Sequence, residues 1–327
     1  MKIAVIAGGA SVEAEVSRAS AAGVSAALKL AGHEVTTLEL DRALAASLLS
    51  GQFDVAFPVA HGALGEDGSL QGLLEVLDIG YVGSNVLASA AAMSKPLAKL
   101  VFASVGLPVA RGIAIARGDA TSAAARARAE LGGGIVVKPA ASGSAIGVTR
   151  IEPGMPDAAV AAALTEVWQL DAVALVEQFA RGREITCSVL DAGDGPRALA
   201  ATEIVSRKDA FYNYSAKYGP GRSEHLCPAP LGDALTRAVH DLAVRAHVAL
   251  GCRDLSRADF VVGDGDNAGA ITLLEVNTLP GFTPTSLFPE AALAAGISFP
   301  ELCDQLARAA FARGATPRNA PRALPTE

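Results

Sequence analysis

Two strand-like stretches near the end of the chain carry four polar side chains suited to metal binding and charge stabilisation. Arg257 and Asp259 stand at the start of the first stretch, and Glu275 and Asn277 stand at the end of the second. A polar turn centred near Asn267 separates the stretches, and counting outward from it places Asp259 roughly opposite Glu275. Because residues two apart on a strand share a face, one face of this hairpin would hold two carboxylates, an amide oxygen and a guanidinium.

This polar face predicts a Mg²⁺ site with Asp259, Glu275 and Asn277 as ligands. Two carboxylates in apolar strands are costly unless positive charge compensates them, and Mg²⁺ prefers hard oxygen ligands. The alternative is a salt-bridge cluster between Arg257 and the acids, which is the commoner arrangement for an isolated Asp and Glu. A sharp turn at 278–281 ends in Gly281 and presents backbone N–H groups of the kind an oxyanion site needs.

A Gly/Ser-rich loop in the middle of the chain is the candidate phosphate site. The strand GIVVKP ends in Lys138, and the loop from Ser142 to Gly147 offers free N–H groups that can fold over a triphosphate. Taken alone, an ordinary hairpin loop with a surface lysine is the favoured interpretation. No P-loop pattern is present, and G-x-G-x-x-A patterns at 193–198 and 263–268 do not open a helix after a strand, so neither is a dinucleotide site.

Composition excludes several classes of partner. The 327 residues carry a net charge of −7 without a basic run, so no nucleic-acid partner is expected. No apolar stretch is long enough for a membrane span, and the first residues are typical of a buried strand rather than a signal peptide. The scattered cysteines Cys187, Cys227, Cys252 and Cys303 are interpreted as reduced core thiols of a cytoplasmic protein.

The pattern of elements predicts several subdomains. Strands and helices alternate in the first part, which indicates a parallel sheet whose short fourth strand is DIGYVGS. A small α+β lobe follows, and then a section that includes a polar loop around residues 212–225 and the hairpin. The tail, rich in Pro, Arg and Ala, is expected to be disordered. The predicted boundaries are 1–93, 94–180, 181–311 and 312–327.

In this order, the motifs resemble the D-alanine–D-alanine ligases of the ATP-grasp superfamily over nearly the whole chain. The matching stretches are GGASVEAEVS, HGALGEDGSLQG, YVGSNVLASAAAMSK, VVKPAASGSAIGV, FYNYSAKY, CPAP, RADF and LLEVNTLPGFTPTSL. The resemblance implies an α/β and α+β chain with an ATP-grasp fold and an N-terminal parallel-sheet, Rossmann-like domain. It also implies a homodimer.

The resemblance further assigns a role to each site residue. Glu13, Ser144 and Tyr218 would form a hydrogen-bonded triad. The ATP-binding residues would be Lys95, Lys138, Ser142, Gly143, Ser144, Glu177, Phe179, Ala180, Glu184, Phe211 and Lys217. The substrate-binding residues would be Glu13, His61, Ser286 and Leu287, with a structural role equally open for His61. Arg257 and Gly281 would hold the oxyanion, and Asp259, Glu275 and Asn277 would bind two Mg²⁺ or Mn²⁺ ions.

The activity implied by the resemblance is ATP-dependent ligation of two D-alanines through an acyl phosphate, for peptidoglycan precursor synthesis. Tyr218 favours D-alanine in the second site, because a Phe tends to replace it in relatives that use D-lactate. Three alternatives are another ATP-grasp ligase with a different amino or hydroxy acid, a regulatory nucleotide-binding protein without turnover, and an NAD-binding oxidoreductase. The last is disfavoured because neither glycine pattern precedes a helix.

Overall fold

The computed structural model describes residues 1–11, 13–206 and 223–315. The chain begins with a parallel three-stranded sheet in the order β2-β1-β3, as predicted for this region. Its strands and the helices that connect or follow them are β1 (Lys2–Ala7), α1 (Ala14–Leu30), β2 (Glu34–Glu39), α2 (Leu44–Gly51), β3 (Val55–Pro58) and α3 (Ser69–Val76).

The predicted fourth strand of this sheet does not form. The segment DIGYVGS makes one isolated bridge, between Tyr81 and Ala56 of β3. Two residues later the Gly83 N–H donates to the Asp254 carboxylate at 2.7 Å, so the backbone turns toward another part of the molecule. A strand requires consecutive pairing with its neighbour, and here a long-range side-chain partner replaces that pairing.

An antiparallel four-stranded sheet follows, in the order β4-β7-β5-β6. Two helices cover it, and their buried face includes Trp168 and Leu164 against Ile135 and Val176. The elements of this part are α4 (Val86–Met93), α5 (Lys95–Ser104), β4 (Gly112–Ala116), α6 (Ala120–Leu131), β5 (Ile135–Pro139), β6 (Thr149–Ile151), α7 (Asp157–Leu170) and β7 (Val173–Gln178).

The third layer is an antiparallel five-stranded sheet in the order β10-β9-β8-β11-β12. Residues 223–226, predicted to end a polar loop, form the edge strand β10 because they pair with β9. The elements are β8 (Arg183–Asp191), β9 (Arg197–Ser206), β10 (Ser223–Leu226), α8 (Asp233–Leu250), β11 (Asp254–Val262), β12 (Ile271–Asn277), α9 (Leu287–Ala294) and α10 (Phe299–Arg313).

Two helices connect these layers. Helix α5 buries Ala98 and Phe102 in the core of the five-stranded sheet, although the domain prediction places this helix with the four-stranded lobe. Helix α10 packs Leu302 and Leu306 into the core of the N-terminal sheet. It begins with a capping box between Ser298 and Glu301, which satisfies the first free backbone N–H groups.

The end of helix α10 corrects the predicted start of the disordered tail. Helix α10 continues to Arg313, two residues into the segment predicted as a disordered tail, because Arg313 is held by the Asp254 carboxylate. Residues 316–327 lie outside the described residues.

Along the described parts of the chain, no single helix is long and apolar enough to span a membrane; α4 and α5 pass that test only as a pair bent by 104°. All four cysteines are free, with Cys227 only half-buried.

Candidate active site

The hairpin of β11 and β12 has the predicted register. Asp259 pairs with Glu275 and Arg257 pairs with Asn277, with a bulge immediately after Asp259. The alternation of side chains along each strand therefore puts the guanidinium, both carboxylates and the amide on one face. The count outward from Asn267 gives the correct pairs at Asp259 and Arg257, although the bulge shifts the pairs nearer the turn by one residue, with Phe260 opposite Leu273.

Every charged side chain on this face has a partner. Arg257 donates to both oxygens of Asp259, through Nε and Nη2 at 2.8 Å each. The Thr186 hydroxyl, at 2.8 Å, and the Asn277 amide, at 3.0 Å, also donate to Asp259. The Lys95 ammonium lies 3.2 Å from Glu275. The predicted alternative, a salt bridge from Arg257, is thus present at Asp259, while Glu275 pairs with Lys95, and these charges balance without an added ion.

The donor set still matches what a hard cation needs. Asp259 and Glu275 lie opposite one another on adjacent strands, and each side chain keeps part of its surface open, 20% and 25%. The described residues include no group of three or more His, Cys, Asp or Glu able to hold a metal by itself. Any ion here would therefore depend on ligand oxygens from a bound phosphate as well, which is usual for Mg²⁺.

A cleft of about 450 Å³ lies between the four-stranded and five-stranded sheets and brings most of the predicted ATP residues together, although Ser144 and the predicted metal ligand Asn277 are not among the described residues that line it. Strands β5 and β7 supply one wall, and β8, β11 and β12 supply the other. The predicted residues that line the cleft are Lys95, Lys138, Ser142, Gly143, Glu177, Phe179, Ala180, Glu184, Arg257, Asp259 and Glu275. The hairpin charges and the lysine-ended strand thus face one space, although about 120 residues of sequence separate Lys138 from Asp259.

The deepest charged group of the cleft is the Glu177 carboxylate, whose side chain is only 4% exposed. Its Oε1 contacts the Lys138 ammonium, and its Oε2 accepts from Lys99 at 2.5 Å. Burial, the largest influence, raises the pKa of Glu177, but the charges and hydrogen bonds of Lys138 and Lys99 outweigh it and leave that pKa below its ordinary value. Glu177 is therefore an anion at neutral pH.

Lys99 was not among the site residues predicted from the sequence. Burial, again the largest influence, lowers the pKa of its ammonium, and the charge of Lys138 acts in the same direction, while Glu177 opposes both. The available signal was its spacing from Lys95: residues four apart lie on one face of a helix, so both lysines lie on the same side of α5, Lys95 at the cleft and Lys99 at Glu177.

Phe179 and Ala180, predicted to edge the adenine, follow β7 at the mouth of the cleft. The guanidinium of Arg150 stacks over the Phe179 ring, 3.8 Å from its centroid, and that of Arg181 lies 5.7 Å away. The Phe179 N–H already donates to the Gly134 carbonyl at 2.9 Å. A backbone contact from Phe179 to a base would therefore use its carbonyl oxygen.

The loop after β5 reaches the N-terminal domain. Its Ser144 hydroxyl donates to Glu13 Oε1 in a short hydrogen bond. Glu13 is 8% exposed and immediately precedes α1. A Cβ placed on Gly62, at φ +79°, would lie 3.5 Å from Glu13 Oε2. The segment that follows β3 therefore lies close to the same carboxylate. Two of the three predicted triad residues thus meet; Tyr218, Lys217 and Phe211 lie outside the described residues.

His61 is buried beside this carboxylate. Its Nδ1 lies 3.5 Å from Glu66 Oε1, and the other Glu66 oxygen accepts from the Gly62 N–H at 2.6 Å. Burial, the largest influence, lowers the His61 pKa, but the hydrogen bond and charge of Glu66 and the charge of Glu13 outweigh it and leave the pKa above its ordinary value. His61 therefore lies within the electrostatic reach of Glu13, the residue predicted to hold the first substrate.

The turn after β12 brings Gly281 against Ser286. A Cβ on Gly281 would lie 3.1 Å from the Ser286 hydroxyl, tighter than ordinary contact. That hydroxyl also accepts from the Thr283 N–H at 3.1 Å, which fixes the turn. Ser286 is the N-cap residue of α9 and Leu287, buried, is its first residue. The predicted second-substrate residues therefore stand at a helix N-terminus, where backbone N–H groups favour an anion.

Comparison with known proteins agrees with this arrangement. Residues 43–84 match the family model described as D-ala D-ala ligase N-terminus, and residues 101–308 match D-ala D-ala ligase C-terminus. A D-alanine–D-alanine ligase of Cereibacter sphaeroides is 46% identical over 92% of the chain and 93% of its own length. One of Gluconobacter oxydans is 43% identical over 96% of the chain and 100% of its own length.

Solved structures show the same likeness. The D-alanine–D-alanine ligase from Coxiella burnetii has a TM-score of 0.80 at 29% identity, covering 96% of this chain and 94% of that one. The Bacillus anthracis enzyme complexed with ATP has a TM-score of 0.78 at 28% identity, covering 95% and 98%. The ATP-grasp fold with its N-terminal parallel sheet is thereby confirmed.

Proposed function

The chain belongs to the D-alanine–D-alanine ligase family, and on that premise we propose that it joins two D-alanines in a reaction that converts ATP to ADP and phosphate. The product, D-alanyl-D-alanine, would serve peptidoglycan precursor synthesis. One observation supports the proposal most directly: Lys138 and Lys95 share a cleft with Arg257, Asp259 and Glu275. Cations for a polyphosphate and oxygen ligands for a metal thus face the same volume.

The nucleotide would lie with its base toward Phe179 and Ala180 and its phosphates toward the hairpin. Glu177, held as an anion, accepts a hydrogen bond from an amino group of the base, and Glu184 accepts from the ribose hydroxyls. Lys95 and Lys138 offset phosphate charge, and the N–H groups of the loop at 142–144 cover the phosphates. Lys217 and Phe211, both outside the described residues, complete the proposed set.

A divalent ion, Mg²⁺ or Mn²⁺, would be held by Asp259, Glu275 and Asn277 together with phosphate oxygens, and we propose two such ions. When bound, it supplies charge that stabilises the transferring phosphoryl group. The ion pairs that Arg257 and Lys95 make with these acids hold the carboxylates in position when no ion is bound. With an ion bound to these acids, Arg257 and Lys95 would pair with the anionic groups of the substrates.

The first step transfers the γ-phosphoryl group. A carboxylate oxygen of the first D-alanine attacks the γ-phosphorus, the bond from that phosphorus to the ADP oxygen breaks, and an acyl phosphate forms. Glu13 holds the ammonium of this D-alanine, and Ser144 fixes the Glu13 carboxylate. His61 lies on the same side of the site. Positioning supplies most of the rate here, because a well-oriented encounter removes much of the entropic barrier.

The second step forms the amide bond. The second D-alanine is held near Ser286 and Leu287, and its neutral amine nitrogen attacks the acyl carbon. The bond from that carbon to the phosphate oxygen breaks, and the proton lost by the nitrogen leaves with inorganic phosphate. Arg257 and the Gly281 N–H stabilise the negative charge that develops on the carbonyl oxygen. The loop at 141–147 excludes water, which would otherwise hydrolyse the acyl phosphate.

The test is ADP release by the full chain with ATP and D-alanine, with and without Mg²⁺, and with mass spectrometry of the product. We expect release that requires both D-alanine and Mg²⁺ and yields the dipeptide, with L-alanine as the inactive control. Equal release with D-alanine present or absent would contradict the proposal. A product formed only with another D-amino or hydroxy acid would instead identify a different ligase of this superfamily.

Three finer features are part of the same proposal. The predicted domains would separate a substrate-binding domain from two lobes that enclose the nucleotide, with α5 grouped with the five-stranded sheet and the last domain continued to Arg313. The protein would be a cytoplasmic homodimer, as its resemblance to the family suggests. Light scattering at micromolar concentration tests the dimer, and a monomeric mass would reject it.

A further inference from the structure

Lys99 is a buried lysine that the mechanism above does not use. Its side chain is 10% exposed, and it does not appear among the described residues that line the cleft. Its ammonium donates to Glu177 Oε2, while Lys138 contacts Oε1 of the same carboxylate. One buried anion thus sits between two cations, of which only Lys138 faces the cleft.

We propose that Lys99 is a positioning residue that acts as the permanent counter-ion of Glu177 and so leaves Lys138 available to the nucleotide phosphates. The inference rests on the proposed function, because it takes the cleft as a nucleotide site. Lys99 itself touches neither base nor phosphate; it acts through Glu177.

The charge balance of the cluster supports this role. A buried carboxylate without a partner is strongly unfavourable, so some cation must remain with Glu177 in every state of the site. If Lys138 were the only cation, its contact with a phosphate would have to compete with that requirement. Two lysines and one carboxylate leave one net positive charge, which the phosphates can use without leaving Glu177 uncompensated.

The placement of the two lysines separates their tasks. Lys138 ends strand β5, beside the phosphate loop, whereas Lys99 stands on α5, whose neighbouring side chains Ala98 and Phe102 are fixed in the core of the five-stranded sheet. Lys99 is therefore anchored by packing, and Lys138 borders the space that a nucleotide would enter. The geometry matches a fixed counter-ion and a cation that can be shared.

The test compares nucleotides with and without phosphates. Dissociation constants for adenosine and ADP are measured by competition against a fluorescent ADP derivative, using the wild-type chain and Lys99→Met. We expect the ADP affinity of Lys99→Met to fall about tenfold more than its adenosine affinity, within the usual range for charges coupled through one group. Lys99→Arg, which keeps the cation, should retain the wild-type preference for ADP.

A merely structural role for Lys99 gives a different result. Disturbed packing would weaken adenosine and ADP binding by the same factor, and that outcome would overturn the inference. So would unchanged binding of both.

A second comparison does not depend on Lys99→Met folding well. Once Glu177→Gln removes the negative charge, Lys99 should be dispensable to phosphate binding, so Glu177→Gln and the double variant Glu177→Gln/Lys99→Met should prefer ADP over adenosine equally. A weaker preference in the double variant would overturn the inference. None of these measurements requires ligation, so a wild-type chain that binds ADP but releases none from ATP with D-alanine would contradict the proposed function alone.

Discussion

Ser144 donates a hydrogen bond to Glu13, a residue 131 positions earlier in the chain. Ser144 and the next residue, Ala145, have φ values of +53° and +54°, in the left-handed region that non-glycine residues seldom adopt. That backbone costs free energy, and the contact with a largely buried carboxylate offsets part of it. The bond fastens a loop of the nucleotide cleft to the domain that holds the proposed first substrate.

The first prediction concerns this bond. Ser144→Ala removes the donor, and a hydrogen bond to a charged group contributes about 1.5–3 kcal/mol, so kcat/KM for D-alanine should fall by about 10–100-fold. Initial rates of ADP release against D-alanine concentration measure the change. Ser104→Ala, at an exposed serine whose hydroxyl donates to the Val101 carbonyl in its own helix, is the control and should keep wild-type rates. A Ser144→Ala variant with wild-type kinetics would mean that the loop is held by other contacts.

The second prediction concerns product choice and comes from the resemblance alone, since Tyr218 lies outside the described residues. Tyr218→Phe should raise ester formation relative to dipeptide formation when D-alanine and D-lactate compete. In the wild-type chain, the Tyr218 hydroxyl would hydrogen-bond within the triad with Glu13 and Ser144 and favour an amine as the second substrate. Chromatography of the two products gives the ratio, and an unchanged ratio would remove Tyr218 from the proposed triad.

The third prediction separates turnover from nucleotide binding at Arg257. Loss of one oxyanion donor typically lowers kcat by about 10²–10³, so Arg257→Ala should lose turnover while its affinity for ADP changes far less. Arg257→Lys is the matched variant that keeps the charge but not the two parallel bonds to Asp259. An equally large loss of ADP affinity would identify Arg257 as a nucleotide contact.

The fourth prediction concerns the metal. Glu275→Gln keeps the size of the side chain and removes a charged ligand, so the Mn²⁺ dissociation constant in the presence of ADP should rise by at least about tenfold. Electron paramagnetic resonance of free Mn²⁺ measures it without turnover. Asp241→Asn, on an exposed face of α8, is the control. Unchanged Mn²⁺ binding in Glu275→Gln would favour a purely salt-bridging role beside Lys95.

The fifth prediction concerns stability. Arg313 donates to both oxygens of Asp254, whose side chain is 1% exposed, so Arg313→Met leaves a buried carboxylate and should destabilise the fold by about 3 kcal/mol. Denaturant unfolding at neutral pH measures this. Asp254→Asn/Arg313→Met, which removes the buried charge as well, should recover part of the loss.

The same pair predicts a pH dependence. Burial, the largest influence, raises the pKa of Asp254, although Arg313, the Gly83 N–H and Arg253 oppose it. Loss of Arg313 would raise that pKa further. A carboxyl whose folded pKa exceeds its unfolded pKa binds its proton more tightly in the fold, so lowering the pH through that interval stabilises the folded state. The deficit of Arg313→Met should therefore shrink on acidification; a deficit independent of pH would contradict the assignment.

The hairpin shows how far local sequence can carry a structural prediction. Strand alternation has a period of two and the connecting turn is short, so the register of Asp259 against Glu275 followed from counting. Its charges have partners that counting could not supply, because Thr186 and Lys95 come from distant strands and helices. The sequence did not decide whether the acids bind a metal or only form salt bridges. The ion pairs with Arg257 and Lys95 balance the charge of both acids without a metal.

The prediction of a fourth strand in the N-terminal sheet was wrong because it could not include a contact between distant parts of the chain. The segment around Tyr81 has the composition of a strand, but the Gly83 N–H donates to Asp254, 171 positions later. Propensity and pattern describe a segment in isolation, whereas a ladder depends on which partner lies beside it.

By itself, the sequence determined most of the element types, the order of motifs and, through their resemblance to a known family, the class of chemistry. These depend on local periodicity and on residues that can be read one at a time. Tertiary structure alone decided that Lys99 joins Lys138 at Glu177, that α5 packs with the five-stranded sheet, and that Arg313 anchors the last helix to Asp254. Each is a contact across the fold, set by how apolar faces pack together and by the need of every buried charge for a partner.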